Sequence, residues 1–141
     1  MIKYLLDTNV ISEAIKTVPN QNVMNKLQKH QDEIATASLV WHELQFGCRR
    51  LPASRKRSLI ESYLAEVVWN TILVFPYDAV AADWHAEQRA QLTAAGKPPP
   101  FIDGQIAAIA KVNNLILVTR NISDYECFKA LKLQNWHEKI N

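Results

Sequence analysis

The sequence predicts an α/β domain with a central, mostly parallel sheet and helices on both of its faces. Three observations predict it. Short apolar runs alternate with longer stretches of helical period. The runs are almost continuously apolar, as strands covered on both faces are. Acids stand just past the ends of two of them, where open α/β sheets bind their ligands.

Ile2–Leu6 is the first strand. Thr8 and Asn9 are turn and cap residues, and Val10–Lys16 is a helix. Pro19-Asn20 starts a second helix with Val23, Met24 and Leu27 on one side. Glu33–Ala37 is a strand. Ser38 caps a helix that runs to about Leu51. Ser54 opens another, whose stripe is Leu59, Ile60, Tyr63, Leu64 and Val67. Ile72–Phe75 is a strand ended by Pro76. Asp78 caps a long helix that Gly96 terminates, and Lys97-Pro98-Pro99-Pro100 is a stiff connector. Ile102–Asn113 is a helix, Leu115–Val118 a strand, and Leu133–Trp136 a weak strand in the tail.

Composition narrows the classes. The 141 residues suit one domain, spanning 1–141, since single domains cluster near roughly 100–150 residues. Three glycines exclude a P-loop and a dinucleotide fingerprint. Cys48 and Cys127 form no CxxC, which excludes a zinc ribbon. No apolar run reaches the roughly 18–20 residues of a membrane span. Met1–Leu6 is too short for a signal-peptide core before Asp7 stops it. A cytoplasmic protein with reduced thiols is expected. The net charge of +2 permits nucleic-acid binding without requiring it.

Four acids carry the chemistry. Asp7 follows the first strand, where a helix cap and a ligand site are equal readings. Glu43 lies within the apolar stripe of Leu39, Val40, Leu44, Gly47, Cys48 and Leu51. A carboxylate there must be paired with an arginine, metal-bound or protonated. Asp103 stands one turn before Ala107 on another apolar helix, where it also complements the helix dipole. Gly104 beside it permits close approach of backbone or ligand. Asp124 follows the strand ending at Val118, and alone it reads as a solvated loop acid. A parallel sheet would gather all four at one edge. Two carboxylates about 5 Å apart repel by roughly 3 kcal/mol at an effective dielectric near 20. A divalent cation removes that conflict, and an all-oxygen donor set selects Mg²⁺ or Mn²⁺ over Zn²⁺.

These residues also form a pattern. Leu5-Leu6-Asp7-Thr8-Asn9, then Glu43-Leu44 with Gly47, then Asp103-Gly104-Gln105-Ile106-Ala107-Ala108, then Val118-Thr119-Arg120-Asn121 with Asp124-Tyr125 resemble, in order, the four motifs of PIN-domain ribonucleases. The resemblance spans essentially the whole chain and is to the VapC toxins of type II toxin–antitoxin pairs. It implies a three-layer PIN-like fold and Mg²⁺- or Mn²⁺-dependent cleavage of RNA by metal-activated water. It further implies metal-binding and catalytic roles for Asp7, Glu43, Asp103 and Asp124, with Thr8, Asn9, Thr119 and Asn121 in support. A homodimer and a small antitoxin that blocks the site are implied as well. The chain departs from the family in carrying Tyr125 where Phe is usual.

Other features are weighed beside this. His30, His42, His85 and His137 have no metal-ligand spacing. His42 points about 100° away from Glu43 on its helix, so an acid–base histidine pair is disfavoured. Arg49, Arg50, Arg55, Lys56 and Arg57 form a basic cluster that reads equally as a phosphate track and a solvated face. Arg120, nearer the acids, is the better phosphate contact. The four tryptophans read as core or interface. A phospho-accepting receiver domain fails because Asp7 precedes Thr8 and Asn9 and because Arg120 takes the place of its lysine. An Asp-x-Asp phosphatase fails at Asn9. A PIN-like module that binds RNA or a partner without cleaving is the remaining alternative.

Overall fold

A computed structural model describes residues 1–138, so the last three residues of the expected 1–141 domain lie outside the described ones. Five strands form one sheet: β1 (Tyr4–Leu6), β2 (Ile34–Ala37), β3 (Leu73–Phe75), β4 (Ile116–Val118) and β5 (Leu133–Gln134). Their order is β3-β2-β1-β4-β5, and every neighbouring pair is parallel. The expected sheet, mostly parallel, is wholly so. Every residue of β1 and β2 is buried. Successive strand side chains point to opposite faces, so both faces of the sheet are covered.

The helices follow from local signals. Asp7 caps α1 (Thr8–Ile11), which tightens into a 3₁₀ turn at Ser12–Ile15. The expected single helix Val10–Lys16 thus starts two residues earlier, ends one sooner and changes type. Asn20 caps α2 (Gln21–Lys29) by accepting from the Val23 N–H. α3 (Ser38–Arg49) begins with Ser38 inside it and Ala37 at the cap position, without the side-chain cap expected from Ser38. Asp78 caps α6 (Ala79–Ala94). Gly96 ends it with φ 76°, and the N–H groups of Gly96 and Lys97 bond to the carbonyls of Thr93 and Leu92, a Schellman closure.

One helical rod departs from its sequence pattern. α4 (Arg55–Ser62) runs through a π-helical stretch at Tyr63–Val68 into α5 (Trp69–Thr71). The wider turn rotates the apolar stripe. Leu64 and Val68 are buried, whereas Leu59 and Val67 of the expected stripe are exposed. The tail strand is likewise shorter than expected. Trp136 leaves it and is buried against Tyr4 and His30.

α7 (Phe101–Val112) buries Ile106 to Ala110 against the sheet and α6. Ile102, expected on its apolar face, is half-exposed. The close approach allowed by Gly104 is made by a side chain of the protein. The His85 ring lies where a Cβ on residue 104 would sit. His85 is held in turn by the Tyr77 hydroxyl at 2.8 Å.

Nothing in the sequence marks Glu13, yet it is buried. Its carboxylate takes Lys16 Nζ at 2.9 Å, the Asn20 N–H at 2.7 Å and His137 Nε2 at 3.2 Å. The lysine, the Asn20 amide and His137 together hold its pKa down to about 2 against the opposing effect of burial. A depressed acid stabilises the fold above its unfolded pKa, here 4.5, and loses that contribution as pH falls toward about 2. Glu13→Gln is therefore expected to destabilise the protein at pH 7 and to narrow its gap to wild type near pH 3. Urea unfolding of both proteins at the two pH values checks this. An equal gap at both would contradict it.

Candidate active site

Strand order decides where the site lies. β1 has β2 on one side and β4 on the other, so the chain changes direction across β1 and leaves a crevice at the carboxyl ends of β1 and β4. Asp7 extends β1 by one rung, its N–H bonding to the Val118 carbonyl at 2.9 Å. Thr119 follows β4 directly opposite. α3 leaves the adjacent β2 and carries Glu43, and α7 brings Asp103.

The result is one cleft of about 340 Å³ lined by Asp7, Glu43, Asp103 and Asp124 together with Thr8, Asn9, Ser12, Ile106, Asn121 and Tyr125. All four expected acids meet there. Asp7 is buried and serves two readings at once. Its Oδ1 accepts the Thr8 N–H at 2.8 Å as the cap of α1, and its Oδ2 accepts the Thr119 hydroxyl at 2.8 Å. The Thr119 oxygen accepts in turn from the Asn121 N–H at 3.1 Å. The Thr8 hydroxyl donates to Glu43 Oε2 at 2.8 Å, so Glu43 is held by a neutral donor and not by an arginine. Asn9 Oδ1 accepts the Arg120 N–H at 3.1 Å and clips the two strand ends together. Asp124 is exposed at the rim.

Tyr125 is the site residue that the sequence marks only as a departure from the usual Phe. Its buried hydroxyl donates toward Asp7 Oδ2 at 3.4 Å and Asp103 Oδ1 at 3.5 Å, which makes the two carboxylates neighbours across one oxygen. Ser12 is unmarked in the sequence and Ile106 is marked only as an apolar helix and motif position, because nothing in a sequence distinguishes a cleft wall from any other helix surface.

Electrostatics agree with the crowding. Burial raises the Asp7 pKa and Glu43 adds to the shift, while Thr119, the Thr8 amide and Tyr125 pull it down. Burial also raises Asp103, followed by the charges of Asp124 and Asp7. Burial and the surrounding acids push the Tyr125 phenol upward, so it stays a donor.

The donor set is entirely carboxylate, hydroxyl and amide oxygen. Among the described residues no three His, Cys, Asp or Glu side chains close on one point as a finished metal cage. Such an open, acid-lined cleft suits Mg²⁺, which usually takes one or two carboxylates and completes its shell with water and phosphate oxygens. Among the described residues no histidine lines the cleft. Arg120 is exposed at its edge. Arg50 lies on the same side of α3 as Glu43, and Arg49, about 100° further round, lines a separate groove with Trp41, His42 and Trp69.

Comparison with known proteins follows the same lines. The PIN domain family matches residues 4–125. The chain is 30% identical over 138 residues to the tRNA(fMet)-specific endonuclease VapC of Shigella flexneri, covering 96% of this chain and 99% of the relative. It is 32% identical over 125 residues to the VapC ribonuclease Y4jK of Sinorhizobium fredii, covering 86% and 89%. The crystal structure of VapBC2 from Rickettsia felis bound to a DNA fragment from their promoter superposes with a TM-score of 0.81 at 30% identity, covering 96% of this chain and 99% of that one.

Two outcomes follow from the crowded acids. A carboxyl group with a raised folded pKa contributes its full stability below the unfolded value of 3.8 and loses it as pH rises through the folded value. Asp103→Asn is therefore expected to raise the melting temperature of the metal-free protein at pH 7, with Mg²⁺ shrinking the difference. A lower melting temperature in EDTA would contradict the repulsion. Tyr125→Phe removes a donor that lowers both acids, so carboxyl-carbon NMR titration should find Asp7 and Asp103 protonating at higher pH than in wild type.

Proposed function

The chain belongs to the PIN-domain family, and on that premise we propose that it is the ribonuclease toxin of a toxin–antitoxin pair, a single nuclease domain over residues 1–141 that cleaves RNA in the cytoplasm with Mg²⁺ or Mn²⁺. The observation that carries the reading is the convergence of Asp7, Glu43, Asp103 and Asp124 in one cleft at the switch point of the sheet. A module that only bound RNA would gain nothing from four acids facing a polyanion. Its partners are the RNA, a small antitoxin that occupies the acidic cleft with a basic side chain, and a second copy of the chain. Among the described residues no helix is long and apolar enough to cross a membrane.

Asp7 and Asp103 are the residues that would hold the cation, and Glu43 and Asp124 would either join them or orient a water toward the phosphate. When bound, the ion neutralises charge on the phosphate and acidifies water. Thr119 keeps Asp7 facing the cleft, and Thr8 does the same for Glu43. Asn9 and the Asn121 amide hold the loop after β4 in register with the end of β1. Arg120, beside Asn121 of the cleft, and Arg50, in line with Glu43 along α3, are the cations assigned to the RNA backbone. Cleavage by the RNA's own 2′-hydroxyl normally needs a positioned base and acid, commonly histidines. The cleft has none, which supports an external water and products ending in 5′-phosphate and 3′-hydroxyl.

Purified protein incubated with total cellular RNA should cleave it in Mg²⁺ or Mn²⁺ and stop in EDTA. Asp7→Asn, Glu43→Gln and Asp103→Asn should each lower the rate at least about 100-fold while remaining folded by circular dichroism, with a smaller loss for Asp124→Asn. End-group analysis decides the chemistry. A 2′,3′-cyclic phosphate formed undiminished in EDTA would overturn the metal-assisted route.

A further inference from the structure

We infer that single-stranded RNA leaves the acidic cleft along the outer face of α3, with a base stacked on Phe46 and a backbone phosphate held by Arg50. The inference rests on the ribonuclease reading and names how its substrate is held.

Three observations on α3 meet here. First, Glu43, Phe46, Gly47 and Arg50 stand three, four and seven positions apart, so they form one continuous strip that begins in the cleft. Second, Phe46 is 59% exposed, with the His42 ring stacked at 6.2 Å and 18° and the Arg50 guanidinium 5.8 Å from its centre. An exposed aromatic ring beside a cation is the unit on which single-stranded nucleic acid stacks, the ring taking a base and the cation a phosphate. Third, glycine is costly inside a helix, yet a Cβ on Gly47 would meet nothing within 4 Å. No packing within the described residues accounts for that glycine. It leaves bare backbone one turn from Glu43, which is room for a ligand strand to lie close to the helix.

Charge selects the occupant. Arg50 has no ion-pair partner among the described residues. An apolar protein segment gains little from an unpaired guanidinium group. A polyanion that must approach four carboxylates needs it.

The test uses the full chain carrying Asp103→Asn to prevent cleavage, and a fluorescein-labelled 12-nucleotide mixed-sequence single-stranded RNA in Mg²⁺, read by anisotropy. Adding Phe46→Leu should weaken binding about tenfold, while Phe46→Trp should bind as the parent does. Arg50→Ala should weaken binding and reduce the salt slope by about 0.7, and Arg50→Lys should restore the slope. Melting temperatures identify any variant that fails to fold, in which case the Trp and Lys variants carry the comparison. Parent-like affinity in both Phe46→Leu and Arg50→Ala overturns the inference. So does a parent that does not bind the strand although the wild-type chain cleaves RNA. A Phe46→Leu change in oligomeric state with unaltered RNA affinity would assign the strip to contact between copies and overturn it equally. Failure of wild-type cleavage in the assay on total RNA would instead count against the ribonuclease reading.

Discussion

Asp7 is where the architecture and the chemistry share one group. One carboxylate oxygen caps α1 and the other is tied to Thr119 at the end of β4, so the acid can face the cleft only if β1 and β4 are neighbours. That pairing is also what opens the crevice. The same bonds that orient Asp7 draw its pKa down against the burial that raises it. A buried carboxylate without such donors would protonate instead of remaining available to a cation.

Around this anchor the protein tolerates repulsion. Burial and the charges of Asp124, Asp7 and Glu43 raise Asp103, and the donors that hold these acids are neutral: Tyr125 on Asp103 and Asp7, Thr119 and the Thr8 amide on Asp7, and the Thr8 hydroxyl on Glu43. A lysine or arginine in their place would neutralise the cleft permanently and compete with the metal. Neutral donors hold the acids in position and leave the negative potential for a cation, and for the basic group of an inhibitor. The cations of this face stand outside the cleft, on α3 and at Arg120, where they serve a substrate phosphate without quenching the acids.

Stability is recovered away from the site. The parallel sheet is buried on both faces, and α7 seats against α6 through the fit of Gly104 to the His85 ring. Glu13 ties the 3₁₀ turn after α1 to Lys16, Asn20 and His137. The turn after α1 is therefore braced by a carboxylate with three partners.

Much of this was written locally in the chain. Alternating apolar runs and amphipathic stretches determined a parallel α/β fold. Asn20, Ser54, Asp78 and Gly96 marked helix ends by side-chain or backbone chemistry that acts within a few residues. Asp7, Glu43, Asp103 and Asp124 stood out because acids on apolar faces or at strand ends demand a reason. What depended on distant partners was not legible. The π-helical turn at Tyr63–Val68 moved the stripe of its helix, since core packing overrode a regular period. Nothing in the sequence marks Glu13, because the His137 that closes on it lies far along the chain. Tyr125 is marked in the sequence only as a departure from the usual Phe, and only the fold brings its hydroxyl to both Asp7 and Asp103. Sequence period and capping are short-range and can be read along the chain. Which hydroxyl meets which carboxylate is decided by strand order, and that exists only once the sheet has formed.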